Sequence, residues 1–592
     1  MLETSDKVEQ LRQRMRKEGW DACLITSADA HLSEYVGEHW KTRQWLTGFT
    51  GSVGTAVVTL DDAGLWADGR YFIQAERQLQ GSGIRLFKMG QPGVPAVEEW
   101  LAETLPAQGT LAVDGRTLSV SACHSLNAAL RNKSVTIVTA QDPAGTLWQD
   151  RPEIPKDTIY IHEDRYAGRT RVQKLADVRQ AMHTHGATHY VLSALDDICW
   201  LYNIRGGDIP HNPYGTSFAV IEADSAALFI DSAKVPDSVR ETLASDQIRV
   251  LDYGSIYSYL GELDQAAIVY DPDKTNVSLK AAIPSSAAVI ETRGLVTLLK
   301  AVKNEVEIEN IRDSYLKDAA ALIQLFKWLK ETVPVEPVTE LQVDLKGLEF
   351  RKQQPLFVDL SFASISAYGD HAAMMHYAPT PGGQYTLDGK GFYLLDSGSH
   401  FLNGTTDITR TIPLGPLSDE EKRDFTLVLK SVIALSEARF LYGSTGSNLD
   451  ILARKPMWDN GLDYKCGTGH GVGYFSNVHE EPQRFAQKTN DVRLEPGMVI
   501  TVEPGVYKEG RHGIRTENTL LVAEDRTTES GRFLRFENLC FLPIDRSAVV
   551  PGLLTRDERE WLNRYHREVF ERLSPRLDDE HRAWLAQETA EI

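Results

Sequence analysis

Four acidic residues stand where an acidic residue is least at home. Tyr393-Leu-Leu-Asp396, Thr406-Asp407-Ile-Thr409, Val499-Ile-Thr-Val-Glu503 and Ile514-Arg-Thr-Glu517-Asn518 each set a carboxylate in or at the end of an apolar, strand-like run. A fifth group, His470 in Gly467-Thr-Gly-His-Gly-Val-Gly473, is flanked by glycines that let a backbone or a ligand approach closely. Buried carboxylates that lie close together repel unless they are protonated or neutralised by a cation. If these five groups meet, they form a hard, oxygen-rich cation site rather than a thiolate-rich tetrahedral one. No HExxH or CxxC pattern accompanies them, and the glycines around His470 do not follow the dinucleotide pattern GxGxxG. Singly, such a carboxylate is more often a strand-end or edge charge, and a histidine in a Gly-rich loop more often a local hydrogen-bond former.

Spacing tests whether they can meet. Glu503 and Glu517 are equidistant from Gly510, so an antiparallel turn centred there sets them directly opposite one another. Asp396 and Asp407 fit less well. A two-residue Asn403-Gly404 hairpin opposes Asp396 with Thr411 and Asp407 with His400, leaving the two four rungs, about 13 Å, apart. A shared site then requires an irregular connection, with Gly398 or Gly404 acting as a bulge.

The elements that position these residues follow from periodicity. A helical stripe of Val8, Leu11 and Met15 ends at Gly19 before the apolar run Ala22 to Ile25. The same order recurs in Val172, Leu175, Val178 and Met182, Gly186, and the run from Tyr190. Each copy continues into paired strand-like segments, Thr55 to Leu60 with Gly64 to Ala67, and Ser217 to Ile221 with Ala226 to Asp231. Two related α/β domains, 1–153 and 154–293, are the simplest account, divided at Arg151-Pro-Glu-Ile-Pro155. The remainder, 294–592, opens with a long helix whose stripe runs from Ile308 to Leu329 and stops at Pro334. It then alternates strands with Gly-rich turns and closes in a helical extension capped by Thr555 and Glu558. The expected class is α/β and α+β.

Composition narrows the chemistry. The 592 residues carry 63 Lys+Arg against 83 Asp+Glu, a net charge of −20, with no concentrated basic stretch to displace counterions from a nucleic acid. Neither a secretory signal nor a run of about 18 apolar residues is seen, so no membrane is expected. Five scattered cysteines read as reduced thiols, and the cytoplasm is the expected compartment.

Taken together, Leu395-Asp-Ser-Gly398, Gly404-Thr-Thr-Asp-Ile-Thr-Arg-Thr411, Gly467 to Gly473, Val478-His-Glu480, Glu503-Pro-Gly505 and Ile514 to Asn518 resemble the successive motifs of aminopeptidase P, the Xaa-Pro aminopeptidases. The resemblance extends to Trp45 to Ser52, Ala67 to Phe72, Asp197 to Gly206 and Trp584 to Thr589, and so covers the chain and points to the long, three-domain cytosolic form. It implies two creatinase-like α/β domains followed by a pita-bread catalytic domain, and a pair of divalent ions, usually Mn2+. By resemblance Asp396 binds one ion, His470 and Glu503 the other, and Asp407 and Glu517 bridge both. The implied reaction is hydrolysis of the N-terminal Xaa-Pro bond by metal-activated hydroxide, with Glu503 shuttling the proton to the leaving nitrogen. His376 and His479 are implied to contact the substrate and stabilise the tetrahedral intermediate, and Tyr507 and Arg515 to lie near the proline-side pocket. The implied partners are peptides with proline second and, through the catalytic domain, a second copy of the chain. One departure stands out: Cys466 occupies a position that is often histidine, which puts proton handling and oxidation sensitivity in question. The competing readings are a prolidase-type Xaa-Pro dipeptidase and a catalytically inactive pita-bread binding scaffold.

Overall fold

The computed structural model describes residues 3–592. They form two compact units, the first made of the residues up to Asp164 with Arg169–Thr297, the second of Arg165–Gly168 with Leu298–Ile592.

The first unit bears out the internal repeat. Helix Thr4–Glu18 buries Val8, Leu11 and Met15 and ends at Gly19 in the left-handed conformation that glycine adopts without strain. Helix Arg171–Thr184, capped by Thr170 and Gln173, buries Leu175, Val178 and Met182. Each helix feeds a six-stranded sheet. In the first, the spatial order is Arg85–Lys88, Ala63–Ala67, Thr55–Thr59, Ala22–Ile25, Thr110–Val113, Thr136–Val138. In the second it is Ile248–Leu251, Ala226–Phe229, Phe218–Glu222, His189–Leu192, Ala267–Tyr270, Ala288–Glu291. The order and the alternation of parallel and antiparallel neighbours are the same in both.

The second unit is built around helix Glu305–Thr332, started by an Asn304–Glu307 capping box and nearly continuous in buried positions from Ser314 to Leu329. Three of the unit's sheets have three or more strands. A six-stranded one orders Arg439–Leu441, Gly531–Asn538, Asn518–Thr528, Val499–Val502, Gly469–Gly471, Glu480–Phe485. Two three-stranded sheets place Phe392–Ser397 between Ile365–Tyr368 and Ile408–Pro413, and Ser399–Phe401 between Phe357–Leu360 and Gly404–Thr405. The closing helix Arg556–Leu573 has the Thr555–Glu558 capping box, and its Trp561 and Tyr565 are buried in this unit's own core. Those two aromatic side chains are therefore intramolecular core.

The connection between Asp396 and Asp407 differs from the Asn403-Gly404 hairpin that the spacing suggests. Phe401 pairs with Gly404, so the two-residue turn is Leu402-Asn403. Asp396 consequently opposes Thr409, not Thr411. Asp407 then lies two positions from Asp396's partner on the same face, a diagonal neighbour rather than four rungs away. The chain changes sheets at Gly398, where a Cβ would stand 2.0 Å from the Thr406 carbonyl oxygen and 2.2 Å from Ser361 Oγ. No helix among the described residues is long and apolar enough to cross a membrane, and all five cysteines are free.

Candidate metal centre

Glu503 and Glu517 lie in the gap between two pairings of a single register. Val502 pairs with Asn518 on one side and Gly505 with Arg515 on the other, with Gly510 at the turn. The opposition read from spacing thus holds. His470 arrives on the neighbouring strand, where its backbone N–H donates to Thr501 Oγ1 at 3.0 Å. Thr501 in turn donates to Glu503 Oε1 at 3.3 Å. The Glu503 N–H reaches the Thr468 carbonyl at 2.8 Å, tying the Gly-rich loop to the glutamate strand.

Side-chain atoms of Asp407, His470 and Glu517 converge within 4.8 Å of one another. His470 Nε2 is 3.4 Å from both Asp407 Oδ2 and Glu503 Oε1. Its Nδ1 donates to the Gly471 carbonyl at 2.8 Å, which directs Nε2 toward the carboxylates. Asp396 joins through Arg515, whose Nη2 donates to Asp396 Oδ2 at 2.5 Å while Nη1 donates to Tyr507 at 2.7 Å. His479 packs edge-on against His470, ring centroids 4.3 Å apart. His376 sits half-buried in the loop after strand Ile365–Tyr368. The base of that loop lies so near the Tyr507–Arg515 hairpin that a Cβ at Gly513 would meet the Ala372 carbonyl at 1.8 Å.

The electrostatics are those of a site with too much negative charge. Burial, helped by Asp407 and Glu503, pushes Asp396 up to about 6 despite Arg515. Glu517 is raised well above the carboxylate range by burial and by Asp407, Asp396 and Glu503 together. Burial alone would lower His470, but Asp407 and Glu503 outweigh it and raise the imidazole to about 9. Buried Asp396 Oδ1 has no hydrogen-bond partner. An orphaned carboxylate oxygen, three further carboxylates and one imidazole are a donor set that divalent cations satisfy by displacing protons. The residues present therefore fit a metal centre.

Two residues that motif spacing alone did not single out hold the carboxylates in place. Thr409 Oγ1 donates to Glu517 Oε2 at 2.8 Å and receives Arg515 Nε at 3.2 Å; Thr501 plays the corresponding part for Glu503. Both stand two residues from a carboxylate on the same strand face, so alternation could have found them. Cys466 lies against the core, and burial followed by the Glu503 charge pushes its thiol up to about 12.

Residues 7–144 and 150–307 each match the creatinase/prolidase N-terminal domain, 309–524 match metallopeptidase family M24, and 532–592 its C-terminal region. Aminopeptidase P2 of Arabidopsis thaliana is 39% identical over 95% of this chain and 84% of its own length. The chain belongs to the Xaa-Pro aminopeptidase family. Within that family, a probable Xaa-Pro aminopeptidase P of Laccaria bicolor is 37% identical over the whole of this chain and 94% of its own. The crystal structure of the Caenorhabditis elegans X-prolyl aminopeptidase, described as a cytosolic enzyme with a di-nuclear active site, superposes with a TM-score of 0.96 at 33% identity over all of both chains. The architecture is accordingly two creatinase-like domains followed by a pita-bread domain, and the chain is a metallopeptidase.

Proposed function

We propose that this enzyme releases the N-terminal residue from peptides whose second residue is proline, using two divalent ions held by Asp396, Asp407, His470, Glu503 and Glu517. The observation that carries the assignment is the surplus of buried carboxylates around one imidazole, with Asp396 Oδ1 unsatisfied. The family's activity and the di-nuclear site of the C. elegans relative support it. In this reading Asp396 would help hold one ion and His470 and Glu503 the other, with Asp407 and Glu517 available to either. When bound, such ions polarise a scissile carbonyl and lower the pKa of a water.

The chain's own groups supply the rest. Glu503, oriented by Thr501, would take up at Oε1 the proton given up by the attacking water and pass it to the proline nitrogen as the Xaa-Pro bond breaks. His376 and His479 donate to the substrate backbone and to the oxygen on which negative charge develops. Arg515 and Tyr507, bonded to one another, wall the proline side. Oxygen-rich ligation favours Mn2+ over zinc. A cytoplasmic homodimer, with domains at 1–153, 154–293 and 294–592, completes the proposal.

The test is to purify the chain without added metal, count bound metal, and follow Arg-Pro-Pro cleavage before and after chelation and Mn2+ addition. About two ions per chain and Mn2+-restored release of arginine are expected. Metal binding with cleavage confined to Xaa-Pro dipeptides would replace this reading with a prolidase-type one. Neither metal nor turnover would leave a binding scaffold. Light scattering on the same sample reads the oligomeric state.

A further inference from the structure

His376 stands at the edge of a loop, residues 369–385, whose first part is buried and whose tip, Thr380 to Gly383, is exposed. One buried carboxylate gathers that loop. Glu340 is fully buried at the first turn of helix Glu340–Lys352. Its Oε1 accepts the Tyr368 backbone N–H at 2.6 Å, immediately before the loop. His371 Nδ1 lies 3.0 and 3.1 Å from its two oxygens. Oε2 also accepts the hydroxyl of Tyr377, the residue after His376, at 2.7 Å, and the Tyr385 N–H, where the loop ends, at 2.8 Å.

Backbone contacts close the same ring. Glu340 N–H donates to the Tyr385 carbonyl at 3.1 Å, Ser366 Oγ to the Glu340 carbonyl at 2.6 Å, and Val338–Thr339 pairs with Thr386–Leu387. His371 is stacked on Tyr385 at 3.6 Å and on Tyr377 at 4.4 Å between ring centroids. The positive end of the helix and this set of donors stabilise the carboxylate without Lys or Arg. Of these donors, His371 and Tyr377 bracket the half-buried His376 in the chain, and Tyr368 and Tyr385 stand at the two ends of its loop.

We infer that Glu340 is a positioning residue for the peptidase reaction, setting the place of His376 through Tyr377 and His371. The inference rests on the reading that His376 acts on the substrate. A carboxylate that clamps four points of a loop fixes the side chain between them to a fraction of an ångström, and misplacement on that scale costs turnover more than binding.

The experiment is a double-mutant cycle on the Mn2+-loaded enzyme with Arg-Pro-Pro, using Tyr377→Phe and Glu340→Gln, each alone and with His376→Ala. Tyr377→Phe removes only the hydroxyl, which reaches Glu340 Oε2 at 2.7 Å and the Gly383 carbonyl at 3.4 Å, and keeps the ring stack, so it should fold even if Glu340→Gln does not. Expected losses in kcat/KM are about tenfold for Tyr377→Phe and about a hundredfold for Glu340→Gln, carried mainly by kcat, with the bound metal per chain unchanged. In the His376→Ala background Tyr377→Phe should cost less than about twofold more, because both changes remove one contribution. Additive losses, or a loss that tracks melting temperature or metal content instead, would overturn the inference while leaving His376's role intact. Undiminished turnover in His376→Ala alone would remove the reading beneath it, and the inference with it.

Discussion

The strands that carry Asp396 and Asp407 have two faces with opposite charge balance. On one face Asp396, Asp407, Glu503 and Glu517 crowd around His470 and Arg515, and Asp396 and Glu517 are both raised by burial and mutual repulsion. On the other face Ser397, Ser399 and Thr406 meet a closed ion pair. Asp318, on the central helix, receives Arg351 Nε at 2.8 Å, Ser399 Oγ at 2.8 Å and Thr406 Oγ1 at 2.9 Å, and Arg351 Nη2 donates to Ser397 Oγ at 3.0 Å. The hairpin beyond the site behaves like the closed face: Asp424 receives Lys508 at 2.5 Å and His512 at 2.9 Å and, though burial opposes it, is held below the usual carboxylate range. At Asp318 and Asp424 the fold supplies a buried carboxylate with cations of its own. Where four carboxylates crowd around one imidazole and one guanidinium, protons or cations from outside the chain must balance the charge.

Asp407→Asn tests that contrast most severely. If Asp407 serves both ions as proposed, its loss should cost about 10³-fold or more in kcat/KM. The same change relieves repulsion, so in metal-stripped protein Asp407→Asn should melt above the parent, and chelation should lower the parent's melting temperature more than the variant's. A metal-free variant that melts below the metal-free parent would show that the crowded face is not in surplus.

Arg351→Met probes the closed face. It leaves Asp318 buried without its cation and should destabilise the second unit by about 3–5 kcal/mol, with or without metal. Asp318→Leu combined with Arg351→Met should recover much of that loss. If the single variant unfolds no more easily than the double, the pair is not the closed balance described.

A buried base with no carboxylate in hydrogen-bond contact shows what each face avoids. His566 accepts the Ile544 N–H at 3.2 Å, its Nδ1 is buried and unpaired, and burial, reinforced by Arg546 and Arg410, lowers it to about 4. Because the folded pKa lies below the unfolded value of about 6.5, the unfolded chain binds more protons between them. Stability should therefore be complete above about pH 6.5 and fall as pH drops toward 4, by about 3 kcal/mol in all. His566→Gln should flatten that slope in urea unfolding at several pH values, whereas Arg351→Met should lower the whole curve.

What was legible in the sequence follows the reach of each signal. Glu503 and Glu517 could be paired because their turn is symmetric and the register runs through unbroken. The helix cap at Thr555 could be read because capping is local. The Asp396 to Asp407 connection was displaced because Asn403-Gly404 is a strong hairpin dipeptide, yet Gly404, at φ +157°, pairs with Phe401 instead of turning. Asp318 and Glu340 escaped notice because a polar residue on a helix has no local mark of burial. Asp318 sits beside the apolar stripe that includes Ala319, and its partners lie 33 to 88 residues away.

The smallest effect is expected at Cys466, and it decides how much negative charge the crowded face holds. A thiol pushed up to about 12 is protonated at neutral pH, so it adds neither charge nor a ligand and reacts slowly with alkylating agents. Cys466→Ser should keep kcat/KM within about threefold and leave the metal count unchanged, and iodoacetamide should label the native thiol slowly. Loss of one ion in Cys466→Ser, or rapid labelling once metal is stripped, would mean that a thiolate joins the four carboxylates. The cation requirement of that face would then be larger than its carboxylates account for, and softer ions than Mn2+ would become the better match.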